Sequence, residues 1–154
     1  MNSRGFTVVE LIAAFSITMI ICVFLFELLI DMKEVYIETV LKTNIEEKVS
    51  IVSKNIYNLF EEYNDVSCDS NNCLVNGKNI SFFHDDNKNV KDYITINNQK
   101  FSMPNDGNNY VKISNFKLVN YELVDDGYIK INFDLISDNL SKPYNYNVVY
   151  YYMK

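Results

Sequence analysis

Glycine and proline are scarce in this chain, four and two among 154 residues, and none falls between residues 6 and 63. Those two residue types are the usual helix breakers, so one long helix is the simplest reading of that stretch. Basic residues are outnumbered by acidic ones, 14 to 20, for a formal net charge of −6. That balance disfavours a general nucleic-acid-binding surface. Histidine occurs once, as His84, and no second ligand cluster has metal spacing, so a metal centre has little to stand on. At this length the chain has room for one compact domain beside an anchor.

What is there in abundance lies at the start. Residues 1–30, MNSRGFTVVELIAAFSITMIICVFLFELLI, run from a short leader with Arg4 into an apolar segment long enough to span a bilayer. Between residues 6 and 26 the only formal charge is Glu10. A carboxylate at mid-depth in a membrane costs about 2.5–3.5 kcal/mol on insertion scales. Arg4 ahead of the apolar run places the N-terminus inside and everything after the run outside. No small-residue cleavage site follows in ELLIDMKEVYIE, which predicts a retained anchor rather than a removed secretory signal. Lipoprotein processing at Cys22 is disfavoured by the bulky Ile20 and Ile21 before it. Glu10 by itself fits the first turn of a helix, where the macrodipole favours a carboxylate by about 0.3–1 kcal/mol and the interface is within reach.

Gly5-Phe6-Thr7-Val8-Val9-Glu10-Leu11 resembles the prepilin signature of type IV pilins and of the pseudopilins of secretion and competence systems. The resemblance covers the first thirty or so residues. It implies cleavage by a prepilin peptidase between Gly5 and Phe6, N-methylation of the new Phe6 amine, and retention of the apolar stretch as an assembly helix. Glu10 matches the family's glutamate, and its implied role is to pair with the Phe6 amine of a neighbouring subunit. The partners implied are the peptidase, other pilin or pseudopilin subunits, an assembly platform membrane protein and membrane lipid. The implied location is the cytoplasmic membrane, then a surface or periplasmic filament. Loss of Arg4 with the leader makes the net charge −7. Many pilins carry a proline late in the apolar segment; here none stands there and Glu27 does. That departure points to a minor subunit rather than the abundant shaft subunit, although Glu27 equally fits the outer interface beside Asp31 and Lys33. The reading from a different class is a membrane-anchored extracellular binding module or adhesin that never polymerises.

Beyond the membrane segment apolar residues recur at Ile37, Leu41, Ile45, Val49, Val52, Ile56, Leu59 or Phe60, and Tyr63, in steps of three or four. This is the stripe of an amphipathic helix. Glu34, Glu38, Lys42, Glu46, Lys48 and Lys54 form its solvated surface. The organisation expected is a leader at 1–5, a transmembrane and assembly half-helix at 6–30, an amphipathic half-helix at 31–63, and a head at 64–154.

The head opens with the polar run 64–73, in which Cys68 and Cys73 stand outside the membrane and are spaced for a short disulfide loop, free thiols being the other reading. The periodicity then becomes two. Leu74-Val75, Asn76-Gly77-Lys78 and residues 80–83 read as a hairpin with an Asn-Gly turn. Residues 93–96 and 101–103 suggest a second hairpin around 97–100, and PNDGNN at 104–109 reads as a turn. A three-residue loop at Asp125-Asp126-Gly127, with Gly127 left-handed, is expected to set Leu123 against Ile129, Tyr121 against Ile131 and Val119 against Phe133. Residues 144–152 form a last strand whose tyrosines suit half-buried sheet packing.

The sequence supplies no nucleophile and base in a recognisable arrangement, and the pairs Asp85-Asp86 and Asp125-Asp126 point to opposite sides of an extended chain. No cofactor is implied and no enzyme is expected. The fold expected is α+β and pilin-like: a long N-terminal helix, transmembrane in its first half, then an antiparallel sheet of about four to six strands laid on the helix's outer half.

Overall fold

The computed structural model describes residues 7–154 except 63, 70, 71, 88 and 108. The chain is α+β: among the described residues one helix, α1 (Val8–Tyr57), precedes ten strands, all of them in antiparallel pairs. It divides into two compact units, Met1–Ile37 and Glu38–Lys154.

In the first unit the apolar side chains of α1 are exposed from Val8 through Phe26 and on to Tyr36. By length and composition this stretch is sufficient for one membrane crossing, and it is compatible with a single-pass anchor. Its hydroxyls suit that surrounding. Ser16 Oγ donates to the Ile12 carbonyl at 2.9 Å and Thr18 Oγ1 to that of Ala14 at 2.8 Å, so neither hydroxyl proton needs water.

In the second unit α1 buries Leu41, Ile45, Val49, Val52 and Ile56, the expected stripe. Ile37, at the stripe's start, is exposed. The helix ends at Tyr57 rather than near Tyr63. Leu59 N–H and Phe60 N–H instead close tight turns onto Ile56 and Tyr57. The reason is tertiary: Leu59 is buried and Phe60 stacks between Tyr150 at 5.8 Å and Tyr152 at 6.2 Å. Asn64 then fastens the end. Its Oδ1 accepts from Glu61 N–H, and its Nδ2 donates to the carbonyls of Glu61 and Met153.

The head is two sheets and a ribbon, where one sheet is expected from the sequence. Strands β1 (Val66–Cys68), β2 (Asn72–Val75), β3 (Lys78–Phe83), β4 (Tyr93–Ile96) and β5 (Gln99–Ser102) form a five-stranded meander. Strands β6 (Asn105–Asp106) and β7 (Asn109–Tyr110) form the ribbon. Strands β8 (Lys112–Glu122), β9 (Asp126–Ile136) and β10 (Tyr144–Met153) form a three-stranded sheet in the order β10-β9-β8. The Asn76-Gly77 turn has both residues left-handed, φ 53° and 73°, as a two-residue hairpin loop requires. The second hairpin turns on Asn97-Asn98 alone, φ 49° and 65°, a shorter loop than 97–100.

The three-stranded sheet lies on the helix. Ile129, Ile131, Phe133 and Leu135 of β9 alternate into the core, joined by Tyr146, Tyr150 and Tyr152 of β10. Tyr146 OH meets Ser53 Oγ of the helix at 2.7 Å and Tyr150 OH at 2.9 Å. Burial beside Tyr146 pushes the Tyr150 phenol well above its ordinary pKa, so it stays a neutral donor. At the other end of the helix in this unit, Glu38 accepts from Ser141 N–H and Oγ–H and pairs with Lys42 at 2.8 Å, which ties the 137–143 connection to α1.

The β8–β9 register differs from the expected one. Val119 stands opposite Lys130, Tyr121 opposite Tyr128 and Glu122 opposite Gly127, leaving residues 123–125 and Asp126 to turn the chain. Two features account for it. A bulge between Ser114 and Lys117, with Asn115 at φ 53°, changes which β8 residues face inward, from Ile113 before it to Leu118 after it. Gly127 is not left-handed; a Cβ there would lie 2.6 Å from Tyr152 Cζ and 2.8 Å from the Tyr121 carbonyl oxygen. The glycine admits a tyrosine side chain against the backbone, and the hairpin is built around that approach.

Candidate functional site

Of the residues singled out in the sequence, Gly5 and Phe6 lie outside the described residues. Glu10 is described, and it sits in the first turn of α1. Its carboxylate accepts from Thr7 N–H at 2.9 Å and from Thr7 Oγ1 at 3.0 Å, while Thr7 Oγ1 lies 3.3 Å from Glu10 N–H. Thr7-Val8-Val9-Glu10 is thus a capping box, in which two otherwise orphaned amide donors at the helix start are satisfied. The Thr-x-x-Glu spacing was in the sequence to be read. It gives Glu10 a partner in its own chain and aims its carboxylate at the start of the helix.

Glu27 lies farther along the same exposed helix, beside Met19, Ile20, Val23 and Phe24, with which it lines a shallow, mainly apolar recess. Cys22 is a free thiol on that surface. In the head, Cys68 and Cys73 stand opposite each other in the β1–β2 register and are joined as a disulfide, so the first hairpin is closed covalently. Cys73, in β2 of the five-stranded sheet, is buried.

The chemically richest cluster was not foreseen. Asp92 is fully buried and Lys112 nearly so. Lys112 Nζ donates to the carbonyls of Asp85 and Val90, both at 2.6 Å, and to Asp92 Oδ1 at 3.1 Å. Asp92 Oδ2 accepts from Ile113 N–H at 2.7 Å and contacts His84 Nδ1 at 2.8 Å; its Oδ1 also accepts from Asp85 N–H. His84 Nε2 reaches Asp86 Oδ1 at 3.1 Å. The hydrogen bond to Asp92 holds the imidazole above its ordinary pKa. With the ammonium protons and the carboxylate lone pairs occupied by one another and by backbone, this cluster closes the 84–92 loop onto β8. Twenty residues separate Asp92 from Lys112, so spacing alone gave no signal of the pair. Among the described residues no group of three or more His, Cys, Asp or Glu is arranged to hold a metal ion.

The second unforeseen feature is the outer face of the β8-β9-β10 sheet. Tyr121 stacks on Tyr128 with centroids 4.6 Å apart, and Tyr128 meets Tyr151 at 5.7 Å, one residue from each strand. Leu123, Val124 and Met153 continue this exposed apolar surface to the hairpin end of the sheet. The shifted register is what puts it there: the expected register sets Tyr121 against Ile131 and Leu123 against Ile129, two residues that face the core, whereas Tyr121 stands opposite Tyr128.

No family model matches this chain, and comparison with curated proteins and with solved structures finds no match either. The reading of function therefore rests on the two sets of groups just described: the exposed apolar helix with Glu10 in its first turn, and the head with its outward aromatic face.

Proposed function

We propose that the chain is a structural subunit of a filament of the type IV pilus or pseudopilus kind, a minor pilin or pseudopilin. In this reading residues 6–30 hold it in the cytoplasmic membrane, the leader inside and the head outside. A prepilin peptidase cuts between Gly5 and Phe6, and the Phe6 amine is methylated. The apolar helix then passes from lipid contacts to contacts with other subunits, drawn out by an assembly platform protein. The observation that carries the reading is one helix with two surroundings. Up to Tyr36 its apolar side chains are exposed and need lipid or other helices, whereas from Leu41 on its apolar stripe is the core of a head.

Glu10 supports this reading because its carboxylate faces the start of the chain, where cleavage creates a cationic amine. Pairing with that amine in a neighbouring subunit cancels two charges in a medium that penalises both. It makes association depend on processing and sets the axial register.

A non-polymerising membrane-anchored binding module is the second reading, favoured by the exposed aromatic face of the head. Intact-mass and N-terminal peptide mass spectrometry on the membrane-extracted protein separates the two. A mature chain beginning at methylated Phe6 is expected; a retained 1–5 leader refutes filament assembly and leaves the anchored module.

A further inference from the structure

We propose that the outer face of the β8-β9-β10 sheet, at the end where α1 finishes, docks a protein partner that presents an apolar side chain flanked by arginine or lysine. The proposal concerns the head alone and stands whether or not the helix polymerises. The apolar part of the surface is continuous and strongly exposed: Tyr151 is 78% accessible, Leu123 and Met153 each 62%, and Val124 at the hairpin tip 91%. Exposed apolar groups that meet across three strands, rather than scattered singly, mark an interaction surface. The next row of the same face sets Lys130 between Val119 and Val149, and beyond it the face turns polar, where Lys117, Asn132 and Asn147 share one row and Asp134 and Asn145 the next, so the patch has an edge away from the hairpin end.

The charge around the patch selects the partner. Glu61, Glu62, Glu122, Asp125 and Asp126 gather at this end of the head. Lys78 pairs with Glu61 at 3.5 Å and Lys154 with Glu122 at 2.8 Å, and among the described residues Glu62, Asp125 and Asp126 have no ion-pair partner. Between residues 61–62 and β10 lies an open recess of about 370 Å³ lined by Glu61, Glu62, Asp126, Tyr151 and Met153. Carboxylates and a tyrosine ring converging on one recess suit a guanidinium or ammonium group, which pairs with the first and lies over the second. Anionic lipid headgroups and nucleic acids carry the wrong sign for this rim. The remaining chemistry, an apolar anchor with cationic neighbours, is that of a protein segment.

The test uses the full chain in detergent micelles and a displayed library of random twelve-residue peptides as the probe. Enriched peptides are expected to carry arginine or lysine beside an aromatic or large aliphatic residue. Their binding is expected to weaken at least tenfold with Tyr151→Ser and with the pair Glu62→Gln and Asp126→Asn, and to weaken as salt is raised. All three positions are on the surface, and circular dichroism checks that the variants keep the parent fold. Enrichment of neutral or acidic peptides, no enrichment over empty micelles, or binding unchanged by both variants overturns the proposal. So does self-association of the full chain that Tyr151→Ser abolishes, which makes the occupant a second copy. Capture by a glycan array that is lost with the same substitution makes it a carbohydrate and overturns the proposal equally.

Discussion

Lys112 Nζ lies 3.1 Å from Asp92 Oδ1 inside the head, with two backbone carbonyls of the 84–92 loop taking its remaining protons. The buried cation thereby ties both ends of the loop to β8. Removing one partner leaves the other charged and without solvent, a loss of about 3–5 kcal/mol. Lys112→Met is therefore expected to destabilise the head by that order in chemical unfolding. Combining it with Asp92→Asn is expected to cost less than the two changes summed, because no uncompensated charge remains.

The same cluster makes stability depend on pH. Asp92, and then Asp86, hold the His84 pKa above its ordinary 6.5. A raised folded-state pKa stabilises fully below the unfolded value, and that stabilisation is lost as pH rises through the folded value. Unfolding free energy is thus expected to decline as pH increases above about 6.5, and His84→Asn to flatten the decline. An NMR titration of the His84 ring places its pKa above 6.5 in the parent and lower in Asp92→Asn; an unshifted parent value refutes the account.

Gly127 holds the β8–β9 register by lacking a Cβ where Tyr152 and the Tyr121 carbonyl approach. Gly127→Ala is expected to destabilise by about 1–3 kcal/mol, the usual cost of forcing an extra carbon into a packed site. Tyr152→Leu removes the side-chain part of that clash and leaves the Tyr121 carbonyl in place, so a double-mutant cycle by urea unfolding is expected to show coupling between the two positions with part of the Gly127→Ala cost remaining.

Glu10 caps its own helix and, in the proposed filament, neutralises a neighbour. Glutamine also serves in a capping box, so Glu10→Gln keeps the helix start and removes only the charge. Membrane insertion and cleavage are expected to persist while incorporation into filaments is lost. Thr7→Ala has the complementary expectation, a frayed helix start at a cost of about 1 kcal/mol with the charge intact. Carbonate extraction, N-terminal mass spectrometry and the pelleting of sheared filaments measure the three steps. Normal incorporation of Glu10→Gln refutes the pairing.

The sequence by itself determined the elements whose causes are local. Freedom from glycine and proline through residue 63 and the step of three or four from Leu41 to Ile56 marked the helix and its buried stripe. Asn76-Gly77 marked a turn that only left-handed residues make, and strand alternation marked the antiparallel head that gives the chain its α+β class. The apolar run from residue 6 marked a segment compatible with one membrane crossing, because that depends on length and composition alone.

Tertiary structure decided what depends on groups far apart in the chain. Tyr150 and Tyr152 draw Phe60 inward and stop the helix at Tyr57. The bulge at Asn115 and the close approach of Tyr152 to Gly127 choose the β8–β9 register, and with it the side of the sheet on which Tyr121 stands. Asp92 and Lys112 find each other only when β8 folds back over the 84–92 loop. Periodicity names the face of a strand only until an irregularity inverts it, and a buried ion pair is set by packing in three dimensions. The outward aromatic face and the closed loop, the two features of the head that the sequence concealed, follow from those two facts.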